Sequence, residues 1–345
     1  MSPFSRGAER RPDPFSSAPS RRAVTLGLAF LAASAAVPAI AAERLRVGLL
    51  AFGTASWVIE TMKAQGLDAA NGLDVVPVEL ASSDAARVAF QSGAVDAVVS
   101  DLVFAARRTA EGRPTVFAPF SAAEGAVMVP AASPIASLAD LKGRRIGVAG
   151  GALDKSWLLL RAEVARRHGV DLAREAEPIF GAPPLLARQL ERGDLDAALL
   201  YWTWSSRLET KGFRPLARVG DLARGFGTAG DVALVGWIFR GEDVAADPSR
   251  HRRFLAAVAA AEDRMATDPG LWERIRPSMR AETEAIFTAL RRDFLAGRPK
   301  RPIAEEEADA RILWSALARI GGAELVGPAR DLPKDLYRIG PDGGS

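Results

Sequence analysis

The sequence predicts an α/β protein made of two lobes of similar topology. The first observation is the segment Arg144–Trp157, where a short apolar run passes through two glycines into an amphipathic stretch, as in a strand, a tight turn and a helix. The second is a repeat, because Ser56-Trp57 returns 100 residues later as Ser156-Trp157 in a similar context. The third is length, since 345 residues of ordinary globular composition are enough for two such units.

The first half of the mature chain alternates predicted strands with predicted helices. Apolar or alternating runs indicate the strands, and apolar residues at helical spacing behind a polar start indicate the helices. The predicted strands are Arg44–Leu50, Val75–Leu80, Ala97–Ser100 and Thr115–Phe120, and the predicted helices run from the loop 52–57 to Gln65 and over Ser83–Phe90.

The second half repeats this pattern between two predicted crossing strands. The predicted elements are a crossing at Gly125–Pro130, strand Arg145–Val148, helix Trp157–His168, strand Ala197–Tyr201, and a return over Phe213–Val219 and Gly225–Ile238. The segment 193–197 also resembles the segment 93–97 at the same spacing of 100 residues. We therefore assign residues 42–129 and 226–340 to lobe one and residues 130–225 to lobe two, with chance similarity of α/β units as the alternative.

The C-terminal region is predicted to be helical. Apolar residues recur at helical spacing, with proline or aspartate near each start. The predicted helices are Pro248–Ala266, Pro269–Ile275, Ala281–Leu295 and Ala304–Ile320, and the last residues, 341–345, are predicted to be disordered.

Residues 1–41 are typical of a secretory signal peptide. Arg21 and Arg22 precede the apolar run Val24–Ala36, and Ala39-Ile40-Ala41 provides small residues for cleavage. The paired arginines resemble a twin-arginine signal, but Val24 and Thr25 depart from that motif, so both the Sec and the twin-arginine routes stay open. An uncleaved membrane anchor is the alternative, and Pro38 argues against it.

Composition excludes several classes of function. The leader holds five arginines against two acidic residues, so the net charge of +3 disappears from the mature chain and nothing favours nucleic-acid binding. Without cysteine there can be no disulfide, thiolate metal ligand or cysteine nucleophile. His168 and His251, the two histidines, are expected on the surface.

The turn before the predicted second-lobe helix is a candidate ligand-binding element. Free N–H groups and the helix dipole at a helix start attract anionic or polar groups. A phosphate-binding loop is excluded, because Asp154 stands directly before Lys155-Ser156, where such a loop requires glycine. A glycine-rich turn without ligand is the alternative.

Ligands of α/β sheets bind beyond the C-terminal ends of the strands. The residues predicted there are Phe52, Thr54, Ser56, Trp57, Ser100, Asp101, Ser121, Gly150, Gly151, Asp154, Lys155, Tyr201, Trp202, Trp204 and Trp237. We expect Trp202 and Trp204 to form an aromatic wall, with packing in the core or between the lobes as the alternative for every tryptophan, and packing preferred for Trp157. Asp101 and Asp154 are either plain helix caps or ligand contacts that favour an amine, a cationic heterocycle or a metal complex.

One stretch resembles a known family. Ser133-Pro134-Ile135, followed by Ser137–Gly143 and Arg145–Val148, is similar to the opening of the second lobe in periplasmic solute-binding proteins of ABC importers for nitrate, sulfonates, taurine and thiamine precursors. The resemblance implies a two-lobed type II periplasmic binding protein fold with two crossing hinge strands and a helical C-terminal tail. It also implies a periplasmic monomer that carries a small solute to an inner-membrane ABC permease, with no catalytic residues, metal or cofactor.

Two other functions stay open at this level. One is a secreted enzyme on the same fold, and the other is a ligand sensor or accessory protein. The cargo also stays open among sulfonate, nitrate, pyrimidine, amine and metal chelate.

We expect export and cleavage after Ala41, because the charged start, apolar run and small-residue site occur in the order that signal peptidase requires. Intact-mass measurement of the periplasmic fraction should show a product that begins near Ala42. A product that keeps Arg21 and Arg22 and needs detergent for extraction would contradict this expectation.

Overall fold

The computed structural model describes residues 42–51 and 53–339. The predicted signal peptide, Phe52 and the predicted disordered tail at 341–345 lie outside these residues. Within them, no helix is both long enough and apolar enough to cross a membrane.

In the described residues, ten strands form two five-stranded sheets of equivalent strand order. The first sheet has the order β2-β1-β3-β10-β4 and the second the order β7-β6-β8-β5-β9. In each, the strand in fourth position runs antiparallel to its neighbours, and the first three strands are parallel. The strands are β1 Glu43–Leu50, β2 Leu73–Leu80, β3 Ala97–Asp101, β4 Thr115–Ser121, β5 Ala126–Pro130, β6 Arg145–Ala149, β7 Glu177–Gly181, β8 Ala197–Leu200, β9 Phe213–Arg218 and β10 Val235–Arg240.

Fourteen α-helices accompany these strands in the described part of the chain. They are α1 Ala55–Ala64, α2 Leu67–Ala70, α3 Ser83–Gln91, α4 Leu102–Ala110, α5 Lys155–His168, α6 Leu172–Glu175, α7 Pro183–Arg192, α8 Trp202–Glu209, α9 Val219–Arg224, α10 Gly241–Ala246, α11 Pro248–Thr267, α12 Pro269–Met279, α13 Glu284–Ala296 and α14 Ile303–Val326. The four predicted C-terminal helices correspond to α11 to α14, and non-helical backbone at Gly322 interrupts α14.

Each sheet contains the same set of arginine–aspartate hydrogen bonds, which we call the clasp. Arg46 on β1 donates from its backbone N and its guanidinium to Asp96, and from Nη2 to the Gly93 carbonyl. Arg145 on β6 makes the same set of bonds to Asp196 and Gly193. Each clasp ties the first parallel strand to the loop before the third, so the repeat reflects one structural unit used twice.

The chain crosses between the sheets next to the predicted crossing strands, not along them. Ala126–Pro130 and Phe213–Arg218 are β5 and β9, which pair with each other inside the second sheet. The connections are the short segment 122–125 and the longer stretch 219–234. The apolar pattern of both segments correctly predicted strands, but a local pattern does not show which sheet a strand joins.

The C-terminal helices fill the core of both halves. Phe294 on α13 packs on Trp57 of α1 in the core of the first sheet. Trp314 on α14 belongs to a second core that includes both Leu102 of α4 and Leu158 of α5, so α14 packs on helices of both sheets. Assigning the whole tail to one lobe is therefore too simple.

His251 is buried, contrary to the surface position expected for it. Its ring packs on Phe239 with centroids 4.9 Å apart, and its Nδ1 lies 2.8 Å from the Asp247 carbonyl oxygen. Burial lowers the pKa of His251. The surrounding arginines in the sequence suggested a solvated face, but His251 lies on the inward side of α11.

Gly125, the last residue of the short crossing segment, lies where the backbone leaves no room for a side chain. Its φ is +125°, and a Cβ there would overlap the Leu200 carbonyl oxygen and approach the Trp202 amide nitrogen to 3.0 Å. Glycine therefore lets the crossing pass close beside the end of β8.

Gly125→Ala should lower the free energy of unfolding by about 3 kcal/mol or more, since backbone strain and overlap add. Gly193→Ala is the matched control: its φ is +80° but no atom would lie within 4 Å of the new Cβ. We expect that control to cost about 1 to 2 kcal/mol. Urea denaturation measures both, and equal losses would show that the contact with β8 is unimportant.

Candidate functional site

Strand ends from both sheets meet beside the short crossing segment 122–125. Asp101 ends β3, Asp154 follows β6, and Tyr201 follows β8. Glu124 in the crossing and Lys155 at the start of α5 complete the group. We call these five residues, Asp101, Glu124, Asp154, Lys155 and Tyr201, the junction cluster.

Lys155 and Glu124 form a largely buried ion pair. Lys155 Nζ lies 3.2 Å from Glu124 Oε2, and the two side chains are 15% and 6% exposed. Burial alone would lower the pKa of Lys155, but the nearby negative charges, Glu124 foremost, raise it above its ordinary value. Burial raises the pKa of Glu124, and Lys155 opposes that shift.

Sequence reasoning missed Glu124. It stands in a short connection between two strands, where polar residues usually face solvent. The available signal was its position: a single carboxylate between Ala122-Ala123 and Gly125, in a segment that has to pass between the lobes.

Asp154 and Asp101 are both helix caps. Asp154 Oδ1 accepts from the backbone N of Ser156 at 2.9 Å and of Trp157 at 3.4 Å. Asp101 Oδ1 accepts from Phe104 N at 2.8 Å, and its Oδ2 accepts from Arg87 Nη2 at 2.6 Å. Both residues are thus helix caps, and whether they also contact a ligand stays a prediction.

Tyr201 is the exposed aromatic residue of the cluster. It is 38% exposed, and its hydroxyl lies 3.5 Å from Asp154 Oδ2. Burial of the hydroxyl, followed by the charge of Asp154, raises the pKa of Tyr201 to about 12. Gly150 makes room for this approach, since a Cβ there would lie 3.0 Å from the Tyr201 hydroxyl and 3.1 Å from Asp154 Oδ2.

Trp202 and Trp204 do not form one aromatic wall. Both lie on α8, where residues two apart point about 200° away from each other. Trp202 packs on Trp57 with ring centroids 6.1 Å apart, whereas Trp204 packs on the core beside β8 and stacks with Arg207. The prediction assumed the extended spacing of a strand, in which residues two apart share a face.

Trp57 and Trp237 are core residues. Trp57 packs against Trp272 and Phe294, and Trp237 is fully buried against Phe120 and Phe254. A ligand cannot contact Trp237 without unpacking this core, so its place among the predicted ligand contacts is wrong. Packing was the stated alternative for these residues, and it was the expectation for Trp157, which is also buried.

The other predicted site residues make no hydrogen bond to the junction cluster in the described part of the chain. Thr54 begins α1 without a side-chain capping bond, and Ser56 Oγ donates to the Gly53 carbonyl. Ser121 Oγ accepts from Ala123 N at 3.2 Å. Ser100 is partly buried in β3, and Gly151 is exposed in the turn before α5.

Two cavities lie elsewhere on the protein. One of about 1120 Å³ lies between the end of α4 and the start of α10, and one of about 690 Å³ lies beside α1. Among the predicted site residues, only Ser56 lines the second cavity and none lines the first. No group of three or more His, Cys, Asp or Glu side chains in residues 42–51 and 53–339 is placed to hold a metal ion.

The sequence profile of the family described as NMT1/THI5 like matches residues 61–270, more than half of the chain. The chain belongs to this NMT1/THI5-like family. No curated protein sequence matches it significantly.

Solved structures share its fold. The periplasmic aliphatic sulphonate binding protein SsuA from Escherichia coli superposes with a TM-score of 0.66 at 20% identity, over 86% of this chain and 99% of that chain. The alkanesulfonate-binding protein SsuA from Xanthomonas axonopodis pv. citri, bound to MOPS, gives a TM-score of 0.55 at 21% identity, over 83% and 97%. The desulfurization enzyme DSZB gives 0.53 at 18% identity, over 86% and 98%. These likenesses confirm the predicted two-lobed periplasmic binding protein fold.

Lys155→Met should leave the Glu124 carboxylate buried without its countercharge and lower the free energy of unfolding by about 3 kcal/mol at pH 8. The Glu124 pKa is already above its unfolded value, so the folded protein holds this proton more tightly than the unfolded chain does. The loss should therefore shrink as the pH falls from 8 towards 5.

The double variant Lys155→Met, Glu124→Gln serves as the control and should recover most of the loss at pH 8. Denaturation curves at both pH values measure these changes. A loss that is independent of pH, or that Glu124→Gln does not rescue, would show that the pair is not the source of the stability.

Proposed function

We propose that this NMT1/THI5-like chain is the periplasmic substrate-binding component of an ABC importer. It holds a small solute between its lobes at the junction cluster and delivers it to an inner-membrane permease. The observation that carries the proposal is the meeting of strand ends from two sheets of equivalent strand order across the short crossing 122–125, since α/β sheets bind ligands beyond these ends.

The neighbours and the leader support this proposal. The two SsuA structures are sulfonate-binding proteins by name, and the E. coli protein is periplasmic by name. A signal peptide predicted at residues 1–41, with no cysteine for lipid attachment after it, fits export into the periplasm without a lipid anchor.

An enzyme on the same fold is the second candidate, because the desulfurization enzyme DSZB shares it. The junction cluster gives this candidate little support. Lys155 is held in its charged form by Glu124 and therefore has no free electron pair for use as a base or nucleophile. His251 is buried in α11, and His168 lies at the far end of α5 from the cluster.

A set of contacts between α8 and α13 would hold the lobes together around a solute. Ser206 Oγ donates to Asp293 Oδ2 at 2.6 Å, and Arg292 Nη2 donates to Glu209 Oε2 at 3.0 Å. We call these four residues the latch. Because α8 belongs to the second sheet and α13 packs in the core of the first, opening the lobes on this side has to break the latch.

Because the latch stabilises the closed arrangement of the two lobes, it should also strengthen the binding of a solute held between them. Apparent affinity falls in proportion to the fraction of molecules able to close on the solute. A latch variant should therefore weaken binding although none of its residues belongs to the junction cluster.

Asp293→Ala should weaken solute binding roughly threefold to tenfold. The variant removes the acceptor of the Ser206 hydrogen bond, and losing such a bond should destabilise the closed lobes by about 1 kcal/mol. Native mass spectrometry of protein taken from the periplasm should show one bound small molecule on the wild type and lower occupancy on the variant. Small-angle scattering of the solute-free variant should show a larger radius of gyration.

Asp263→Ala is the matched control, since Asp263 is an exposed partner of Arg298 outside the latch. It should leave occupancy and radius unchanged. Wild-type protein that never carries a small molecule in the periplasm would refute the proposed function.

A further inference from the structure

Resting on the proposed function, we infer that the junction cluster takes an organic solute with a positively charged nitrogen head group, such as an aromatic amine or amidine, and not a sulfonate. The inference concerns the chemical class of the cargo. It rests on which donors, charges and acceptors of the cluster are already satisfied.

The helix starts that would hold an anion are occupied from within the protein. Asp154 Oδ1 accepts the N–H groups of Ser156 and Trp157 at the start of α5. Asp101 accepts that of Phe104 at the start of α4. A sulfonate at either start would have to displace a carboxylate of the same charge.

The cluster and its ion-pair partners carry one uncompensated negative charge. Glu124 is paired with Lys155, and Asp101 is paired with Arg87 at 2.6 Å. Asp154 belongs to none of the ion pairs within 4 Å in residues 42–51 and 53–339, and its charge acts on Lys155 at longer range. An anion would therefore meet a net negative site, whereas a cation would complement it.

Two carboxylate oxygens lack good donors. The Glu124 side chain is 6% exposed, and its buried Oε1 has no hydrogen-bond partner in the described residues, although the backbone N–H of Leu234 acts on the carboxylate and opposes its raised pKa. Asp154 Oδ2 has only the long 3.5 Å contact with the Tyr201 hydroxyl. The negative charge of Asp154 also contributes to the raised pKa of Glu124, after the burial of Glu124 itself.

A nitrogen cation supplies what these oxygens need. Leaving a buried acceptor without a donor is costly, and an ammonium or amidinium group brings several N–H donors. A sulfonate brings only acceptors and would leave both oxygens unsatisfied. The exposed ring of Tyr201 adds a surface on which a cation or an aromatic ring packs favourably.

The geometry also favours an organic cation over a metal ion. A metal ion held by side chains alone needs several converging ligands, and no group of three or more His, Cys, Asp and Glu side chains placed for this occurs in the described ranges. A single nitrogen head group needs only two acceptors and a ring.

A matched ligand pair tests the inference in the full mature protein. Benzylamine is cationic at pH 7 and phenylmethanesulfonate is anionic, while both carry the same ring and linker. Calorimetry at constant ionic strength should give at least tenfold tighter binding of benzylamine, since a charge-assisted hydrogen bond is worth that factor or more.

Asp154→Asn is the informative variant, because asparagine keeps the helix cap and removes the charge. It should reduce benzylamine affinity about tenfold and bring the two ligands within threefold of each other. Asp268→Asn is the matched control: Asp268 caps α12 in the same way at an exposed position, and its change should leave both affinities unaltered.

The outcomes separate the inference from the proposed function. Phenylmethanesulfonate binding as tightly as benzylamine or more tightly overturns the inference, and so does an anionic solute found on protein from the periplasm, although the transport function would then stand. Absence of any bound solute in the periplasm, together with no binding of either ligand, would refute the function and the inference with it.

Discussion

The ion pair between Lys155 and Glu124 is the contact on which the geometry of the site depends. It joins the first residue of α5, in the second lobe, to the short segment by which the chain enters that lobe. A lysine at a helix start is unfavourable with respect to the helix dipole, and a buried carboxylate is unfavourable by itself. Each is tolerated because the other is there, so the crossing segment and the start of α5 hold one relative position.

Much of the fold follows from local patterns in the sequence. The strand Glu43–Leu50 and the helix Pro248–Thr267 lie close to their predicted limits, because apolar periodicity reports burial directly. The partnership of β5 with β9 did not follow, since pairing of distant strands is decided by topology that no local pattern records. The duplicated arginine-aspartate clasp explains one part of the 100-residue repeat, the similarity of residues 93–97 to residues 193–197.

The site was harder to predict than the fold. Asp154 and Tyr201, which lie together in the junction cluster, were proposed from sequence because they follow strand ends, a position that the pattern of strands and helices reveals. Glu124 was missed because its role as a buried partner of Lys155 depends on tertiary packing, which the sequence of a short loop does not predict. Trp202 and Trp204 were misjudged because the residues after β8 form a helix, and the aromatic pair then faces two different cores.

Membership of the NMT1/THI5-like family fixes an architecture more firmly than a cargo. The SsuA structures that share the fold are sulfonate-binding proteins by name, at about one residue in five identical. On the inference that the junction cluster takes a cation, the carboxylate of Asp154 sets the charge of the accepted solute while it caps α5 within the same fold. Selectivity for charge would then reside in single residues at strand ends.

The placement of α14 bears on the order in which the chain can fold. Trp314 and Tyr337 belong to a core that also contains residues of α4 and α5, so this shared core stays incomplete until the C-terminal helix and the residues after it are in place. The smaller core around β8 contains no residue beyond Phe213 and does not depend on them. Contacts between distant parts of a chain require costly loop closure, so we expect the end of the chain to complete the shared core last.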